Sequence, residues 1–169
     1  TIHFEANNGS SETMDNWTFT WDGTAQAIPA CTFTAPEGKM FVGWSTEPDG
    51  SGTYYTKQVI EIPSGTLFAI WRDPTESVPN GELTLYDGQI LTGTGGFKTH
   101  VTIANGATVT LSGVDITTIN NSSSYQWAGI SCAGDATIIL SGENTVKGGY
   151  HSAGIFVPEG RTLTIKGVG

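Results

Sequence analysis

Charge is the first thing this sequence has little of. Asp, Glu, Lys and Arg make up 14% of its 169 residues, against roughly 25% in an average globular protein. Basic residues are the scarcest, 7 against 16 acidic ones, for a net charge of −9. So few Lys and Arg exclude nucleic acid, whose phosphates demand cations, and argue equally against an anionic membrane surface. Long hydrophobic runs are missing as well. No segment is expected to span a membrane, and none reads as a secretory leader. Cysteine is limited to Cys31 and Cys132, too few for a disulfide scaffold; both are expected as free thiols. No stretch keeps the apolar rhythm of an amphipathic helix, so no long helix is expected. The phosphate-loop and dinucleotide fingerprints and the usual Ser-His-Asp signatures do not occur. His3, His100 and His151 lack partners at metal-ligand spacing. No cofactor and no metal are expected.

What the chain does have is 23 glycines, 7 prolines and many Thr, Val and Ile. Those residues favour short strands joined by tight turns, so the fold class is all-β. The charge divides unevenly. Residues 1–79 hold 3 basic and 10 acidic side chains; residues 80–169 hold 4 and 6. Between them runs a stretch with Pro74 and Pro79 among polar residues, which suits a short stiff linker. The sequence therefore predicts two modules, 1–79 and 80–169. Residues 1–4 and 162–165 are strand-like runs at either end, so the chain reads as a piece cut from a longer protein.

In the first module, strand-like runs at 1–5, 17–21, 39–44 and 66–71 alternate with turn clusters such as Asn7-Asn8-Gly9-Ser10. Asp49-Gly50-Ser51-Gly52 lacks the later Glu ligand of a calcium loop and reads as a hairpin turn. Trp44 and Trp71 are expected in the core, as are Trp17 and Trp21. Four motifs stand in order: Phe4-Glu5-Ala6-Asn7-Asn8-Gly9-Ser10, Gly38-Lys39-Met40-Phe41-Val42-Gly43-Trp44-Ser45-Thr46, Asp49-Gly50-Ser51-Gly52-Thr53 and Leu67-Phe68-Ala69-Ile70-Trp71. Together they resemble the Listeria–Bacteroides, or internalin B-type, repeat over nearly the whole module. The resemblance implies a small β-grasp-like unit of bacterial surface proteins. Asn8 stands where that repeat usually has Gly, and Met40 where it has an aromatic. Asn tolerates left-handed backbone and Met fills core space.

The second module repeats. Segments starting at Val101, Ile130 and Ile155 align with one another, and Leu83-Thr84-Leu85 fits one step before Val109. A spacing of this kind falls within the range of roughly 20–50 residues typical of repeat architectures. With strands and no helices, it predicts a stacked solenoid. Val101 and Ile103, Ile130 and Cys132, and Ile155 and Val157 are expected to face inward. So are Val109 and Leu111, Ile138 and Leu140, and Leu163 and Ile165. Gly-bounded strands of this kind resemble right-handed parallel β-helices of the pectate-lyase-like type, above all the Thr-rich turns of bacterial surface adhesins.

Enzymes on that fold need clustered carboxylates. Glu82, Asp87, Asp115, Asp135, Glu143 and Glu159 sit at scattered repeat phases. Asp115 aligns with Asn144, a pairing that suits turn backbone better than chemistry. The better candidates are aromatic. Residues 125–130 align with 150–155, which places Tyr125 over Tyr150 and Gln126 over His151, with Trp127 an unpaired ring in the Ser152 column. Two readings stay open: a ladder that covers the side of the repeat, or a sugar-binding patch of Tyr125, Trp127, Tyr150 and His151. The expected protein is an extracellular or wall-anchored, adhesin-like bacterial chain without catalytic activity. Its first module would be a spacer, its second a surface for glycan or a host or cell-surface protein. The competing reading is a fragment of a polysaccharide lyase or hydrolase whose catalytic turns lie beyond residue 169.

Overall fold

A computed structural model of the protein describes residues 1–59 and 65–167. The chain forms two compact units, Thr1–Asp73 and Pro74–Gly169. The described residues are strands and turns throughout, with no helix among them. No helix of these residues is therefore long and apolar enough to cross a membrane.

The first unit carries β1 (Ile2–Glu5), β2 (Gln26–Ala27), β3 (Met40–Ser45), β4 (Tyr54–Tyr55), β5 (Gln58–Val59) and β6 (Gly65–Arg72). Its main sheet has the order β1-β6-β3-β4; β1 lies parallel to β6, and β3 antiparallel to both β6 and β4. Period-2 alternation in β1 sends Ile2 and Phe4 inward and leaves His3 and Glu5 in water. The core gathers on Trp44, which is 1% exposed, with Phe4, Phe33, Leu67 and Trp71 around it. Phe4 and Phe41 lie 4.6 and 5.0 Å from Trp44 between ring centroids. Trp71 Nε1 donates to Ala6 O at 2.7 Å and ties the last strand to the end of the first.

Several local expectations resolve here. Residues 17–21 make only an isolated bridge, Ile2 with Trp17. Trp17 stacks on Phe19 and packs against the core, whereas Trp21 is 45% exposed and does not join it. Left-handed backbone falls on Asn7 and Gly9, not on Asn8. Asn7 uses that turn to donate to Ala69 O and Pro48 O, while Asn8 accepts from Ser10 N. Asp49 Oδ1 accepts from the Ser51 N–H and hydroxyl within the β3–β4 connection, so the carboxylate serves the turn's own backbone. Gly43 has φ +147, and a Cβ there would lie 2.5 Å from the Tyr54 ring and 2.6 Å from Tyr55 O. Only Gly permits that approach, at the point where β3 shifts register against β6.

The second unit consists of two wholly parallel sheets. One has the order β15-β12-β10-β8: Ile155–Phe156, Ile130–Cys132, His100–Ile103 and Glu82–Leu85. The other has the order β16-β13-β11-β9-β7: Leu163–Gly167, Ala136–Ser141, Thr108–Ile116, Ile90–Thr94 and Thr75–Ser77, with β14 (Thr145–Val146) also on β11. Each sheet buries one face. Leu85, Val101, Ile103 and Ile130 are fully buried on the first, and Leu91 and Ile138 on the second. Cys132 is 3% exposed in the same inward phase as Ile103; both cysteines are free.

Three expectations on this unit need correction. The stretch read as a linker is a strand, because Thr75–Ser77 pairs in parallel with β9, and the divide between the units falls after Asp73 rather than at residue 79. Leu83 pairs with Val101, not with Val109, whose predecessor strand is β9. Each repeat contains two strands, one per sheet, and the first repeat is short. Only residues 95–99 connect β9 to β10, against 117–129 between β11 and β12, so the step from Leu83 to Val101 is much shorter than that from Val101 to Ile130. Finally, Ala136 pairs with Leu163 and Ile138 with Ile165, two residues away from the sequence alignment. The turn between β15 and β16 is longer than that between β12 and β13. A slip of two keeps every side chain in its phase: Ile138 is fully buried as expected, whereas Ile165, in the same column on the edge strand β16, is 52% exposed and not covered.

The acidic and amide residues at the turns serve the backbone. Asp87 Oδ1 accepts from Thr108 N at 2.8 Å, Asn105 Oδ1 from Asp135 N at 3.1 Å, and Asp135 Oδ1 from Thr162 N at 2.8 Å. Asn144 Oδ1 accepts from Val114 N at 2.9 Å. Each side chain satisfies an N–H belonging to a neighbouring repeat, which holds successive turns together.

Candidate functional site

The site lies where the loops before β12 and β15 meet the outward face of the first parallel sheet. Those loops are ordered by backbone bonds from repeat to repeat. Tyr150 N donates to Tyr125 O and Gly149 N to Trp127 O, both at 2.9 Å, and Ile130 N donates to Gly154 O at 3.0 Å. The approach at Gly149 admits no side chain, since a Cβ there would lie 1.9 Å from Tyr125 O. Two residues later His151 takes φ +50, a left-handed conformation that His adopts less reluctantly than β-branched residues.

The backbone thus places residue 125 beside residue 150, as the repeat alignment predicts, but the rings do not stack on each other. Tyr150 turns to His151, ring centroids 4.0 Å apart and edge to face. Tyr125 turns to Trp127 at 5.2 Å. Gly149 and the left-handed turn at His151 send the second loop off the path of the first, so equal sequence positions do not give equal side-chain directions. Trp127 is not a ring without partners. It lies 6.0 Å from the His100 ring at an interplanar angle of 25°, and its Nε1 donates to the carbonyl of fully buried Thr99 at 2.9 Å.

Beside Trp127 opens a groove of about 390 Å³, within the range of small-molecule sites. Trp127, His151 and Phe156 contribute rings; His100, Gln126 and Ser131 contribute polar groups. His100 Nε2 stands 3.2 Å from Ser131 Oγ. Of the four candidate residues, Trp127 and His151 line the groove, whereas Tyr125 and Tyr150 do not and instead support them. Gln126 and His151 share the groove, but Gln126 Nε2 donates to Ser123 O in its own loop.

Sequence reasoning missed His100, Ser131 and Phe156. Phe156 left a legible trace: its outward column reads Thr84, Thr102, Ser131, Phe156. A ring replaces small hydroxyl residues there, and it is 52% exposed. No residue lining the groove carries a formal carboxylate, ammonium or guanidinium charge. Aromatic faces with imidazole, amide and hydroxyl groups suit a neutral polyhydroxylated ligand: C–H faces pack on rings, hydroxyls exchange hydrogen bonds. The Ser131–His100 contact resembles half of a nucleophilic pair. Glu82 is the Cα neighbour of His100 across the sheet, yet no carboxylate lies within ion-pair distance of that imidazole among the described residues. Nor do these residues include a cluster of three or more His, Cys, Asp or Glu able to hold a metal.

Neither a protein-family model, nor a curated protein, nor a solved structure matches the chain.

Proposed function

We propose that this chain is an extracellular, adhesin-like bacterial binding protein whose second unit holds a glycan in the Trp127 groove. The first unit is a β-grasp-like spacer of the Listeria–Bacteroides repeat kind. The parallel pairing of its first and last strands, β1 and β6, beside one another in a mixed sheet supports that reading. The second unit is a right-handed parallel β-helix. Support comes from two all-parallel sheets whose strands alternate along the chain and keep their inward columns from repeat to repeat.

The observation that carries the functional reading is the uncharged groove faced by Trp127, His151 and Phe156. Its volume fits a sugar unit, whereas a protein partner would require a far broader contact area. Exposure of Phe156 costs burial energy that a stacked ligand would recover.

The test is a glycan array probed with the wild type, Trp127→Phe and Phe156→Ala. Binding by the wild type that falls in both variants, each shown folded by circular dichroism, is the expected result. Equal binding by all three would remove this groove as the site. Phe156 makes the cleaner variant, because its side chain is half in solvent and supports little of the core.

A further inference from the structure

A second groove, of about 500 Å³, opens on the same stretch of chain and is lined by Val78, Asn80, Thr94, Phe97 and Thr118 together with two glycines. Phe97 is 65% exposed, more than any other large apolar side chain described. Its loop is nonetheless braced on every side. Gly96 N donates to Thr99 Oγ1 at 2.8 Å, Thr99 Oγ1 to Pro79 O at 2.5 Å, Lys98 N to Asn80 Oδ1 at 3.0 Å, and Asn120 N to Phe97 O at 3.2 Å. The packing is so close that a Cβ on Gly96 would lie 2.4 Å from Asn80 Oδ1. A loop fixed this firmly, with an apolar ring held in water, is built to present that ring.

The two grooves are joined by a single short segment. Gly96 and Phe97 line one, His100 lines the other, and between them the Thr99 carbonyl receives the Trp127 indole. Four residues of extended chain reach at most about 14 Å, which keeps Phe97 and His100 within the length of a short oligosaccharide. The lining of the second groove is also free of formal charge, although the whole chain bears −9. Its polar groups are the Asn80 amide and the Thr94 and Thr118 hydroxyls, the same chemistry as the first.

We propose that the two grooves are neighbouring subsites for one uncharged oligosaccharide, with Phe97 the stacking platform of the second. This rests on the glycan-binding reading of the Trp127 groove and adds what that reading leaves open: the ligand is a chain of several neutral sugars.

The experiment is calorimetric titration with β-1,4-linked glucose and mannose and β-1,3-linked glucose oligomers of increasing length, with oligogalacturonides as the charged comparison. In the wild type, lengthening a neutral ligand past the first groove should raise affinity by roughly three- to tenfold, the gain expected of one additional ring contact. Phe97→Ala should abolish that gain and leave the shortest ligands unaffected. A ring held mostly in solvent supports little packing, so the substitution leaves folding intact, which the melting curve checks. Trp127→Phe should weaken every length. A length dependence identical in wild type and Phe97→Ala, with Trp127→Phe still weakened, would overturn the second subsite and leave the first. Tighter binding of oligogalacturonides than of any neutral oligomer would overturn the uncharged ligand. Binding of none of these oligomers, with no response on the glycan array, would overturn both readings.

Discussion

Trp127→Phe tests how the site is held, independently of any ligand. The indole N–H reaches Thr99 O at 2.9 Å, and Thr99 is fully buried. Phe keeps a ring in the groove but removes the donor, leaving a carbonyl in the interior without it. An orphaned buried polar group costs about 1–3 kcal/mol. In a unit of about 100 residues, 1 kcal/mol moves the melting midpoint by roughly 4–8 °C, so the variant should melt between about 4 and 24 °C lower. Trp127 is the one tryptophan after residue 71, so the variant removes the second unit's own fluorescence. Scanning calorimetry is therefore the assay, with Phe156→Ala as control. That control should stay within about 0.5 kcal/mol of wild type, because a largely exposed ring supports little packing. A Trp127→Phe midpoint equal to that of the wild type would mean that the indole–Thr99 bond does not orient the ring, and the geometry of the groove would fall with it.

Three further outcomes follow from the same geometry. The Thr34 hydroxyl and N–H, with the Asn8 amide, hold the Glu12 carboxyl below the usual 4.5 of a glutamate. A depressed folded-state value stabilises above the unfolded value and is lost as pH falls through the folded one. The urea midpoint of the first unit should thus exceed that of Glu12→Gln at pH 7, and the gap should close in acid; a gap independent of pH would refute the link. Denatured, unreduced protein should yield two titratable thiols. In the native state both should react slowly, since burial pushes the Cys31 and Cys132 thiols up, and Cys132, 3% exposed, should be the slower; finding no thiols in a monomeric chain would contradict this. No turnover is expected on pectins, glucans, host glycans or ester reporters. A rate that disappears in Ser131→Ala, His100→Ala, Asp115→Asn or Asp135→Asn would make the chain an enzyme.

Where the repeat was legible in the sequence, the reason is the two-residue period of a strand. Val101, Ile130 and Ile155 fall in one column, and Val109 and Ile138 in another, because alternation alone sorts inward from outward residues. The same property makes the alignment insensitive to errors of two. Leu163 could be matched to Ile138 or to Ala136 without any side chain changing face, and only the hydrogen-bond ladder decides for Ala136. Spacing failed in a different way at residues 74–79. Prolines and polar residues describe a linker and an edge strand equally well, because an edge strand also leaves half its backbone groups unpaired. Thr75–Ser77 is such an edge. Glu76, in the column of Leu91, meets the Gln89 amide at 3.4 Å instead of an apolar neighbour.

The candidate site divides along the same line. Tyr125 and Tyr150 were found because they share a repeat position, yet a shared position fixes only the backbone, where Tyr150 N meets Tyr125 O. Ring directions depend on φ at His151 and on the closeness of Gly149, neither of which periodicity encodes. Phe156 is the opposite case. It stands on a strand, where facing is set by alternation, so its departure from the Thr84, Thr102, Ser131 column could be read without coordinates. In a parallel repeat the informative residue is therefore the one that breaks its outward column while keeping its phase. The backbone imposes no need for a ring there, and solvent penalises it. By that criterion Phe156 is a stronger mark of function than the aligned tyrosines. The double variant Phe156→Ala/Tyr125→Ala should bind glycan no worse than Phe156→Ala alone, provided Trp127 keeps its bond to Thr99. A further loss in the double variant, with the melting midpoint unchanged, would return Tyr125 to the contact surface.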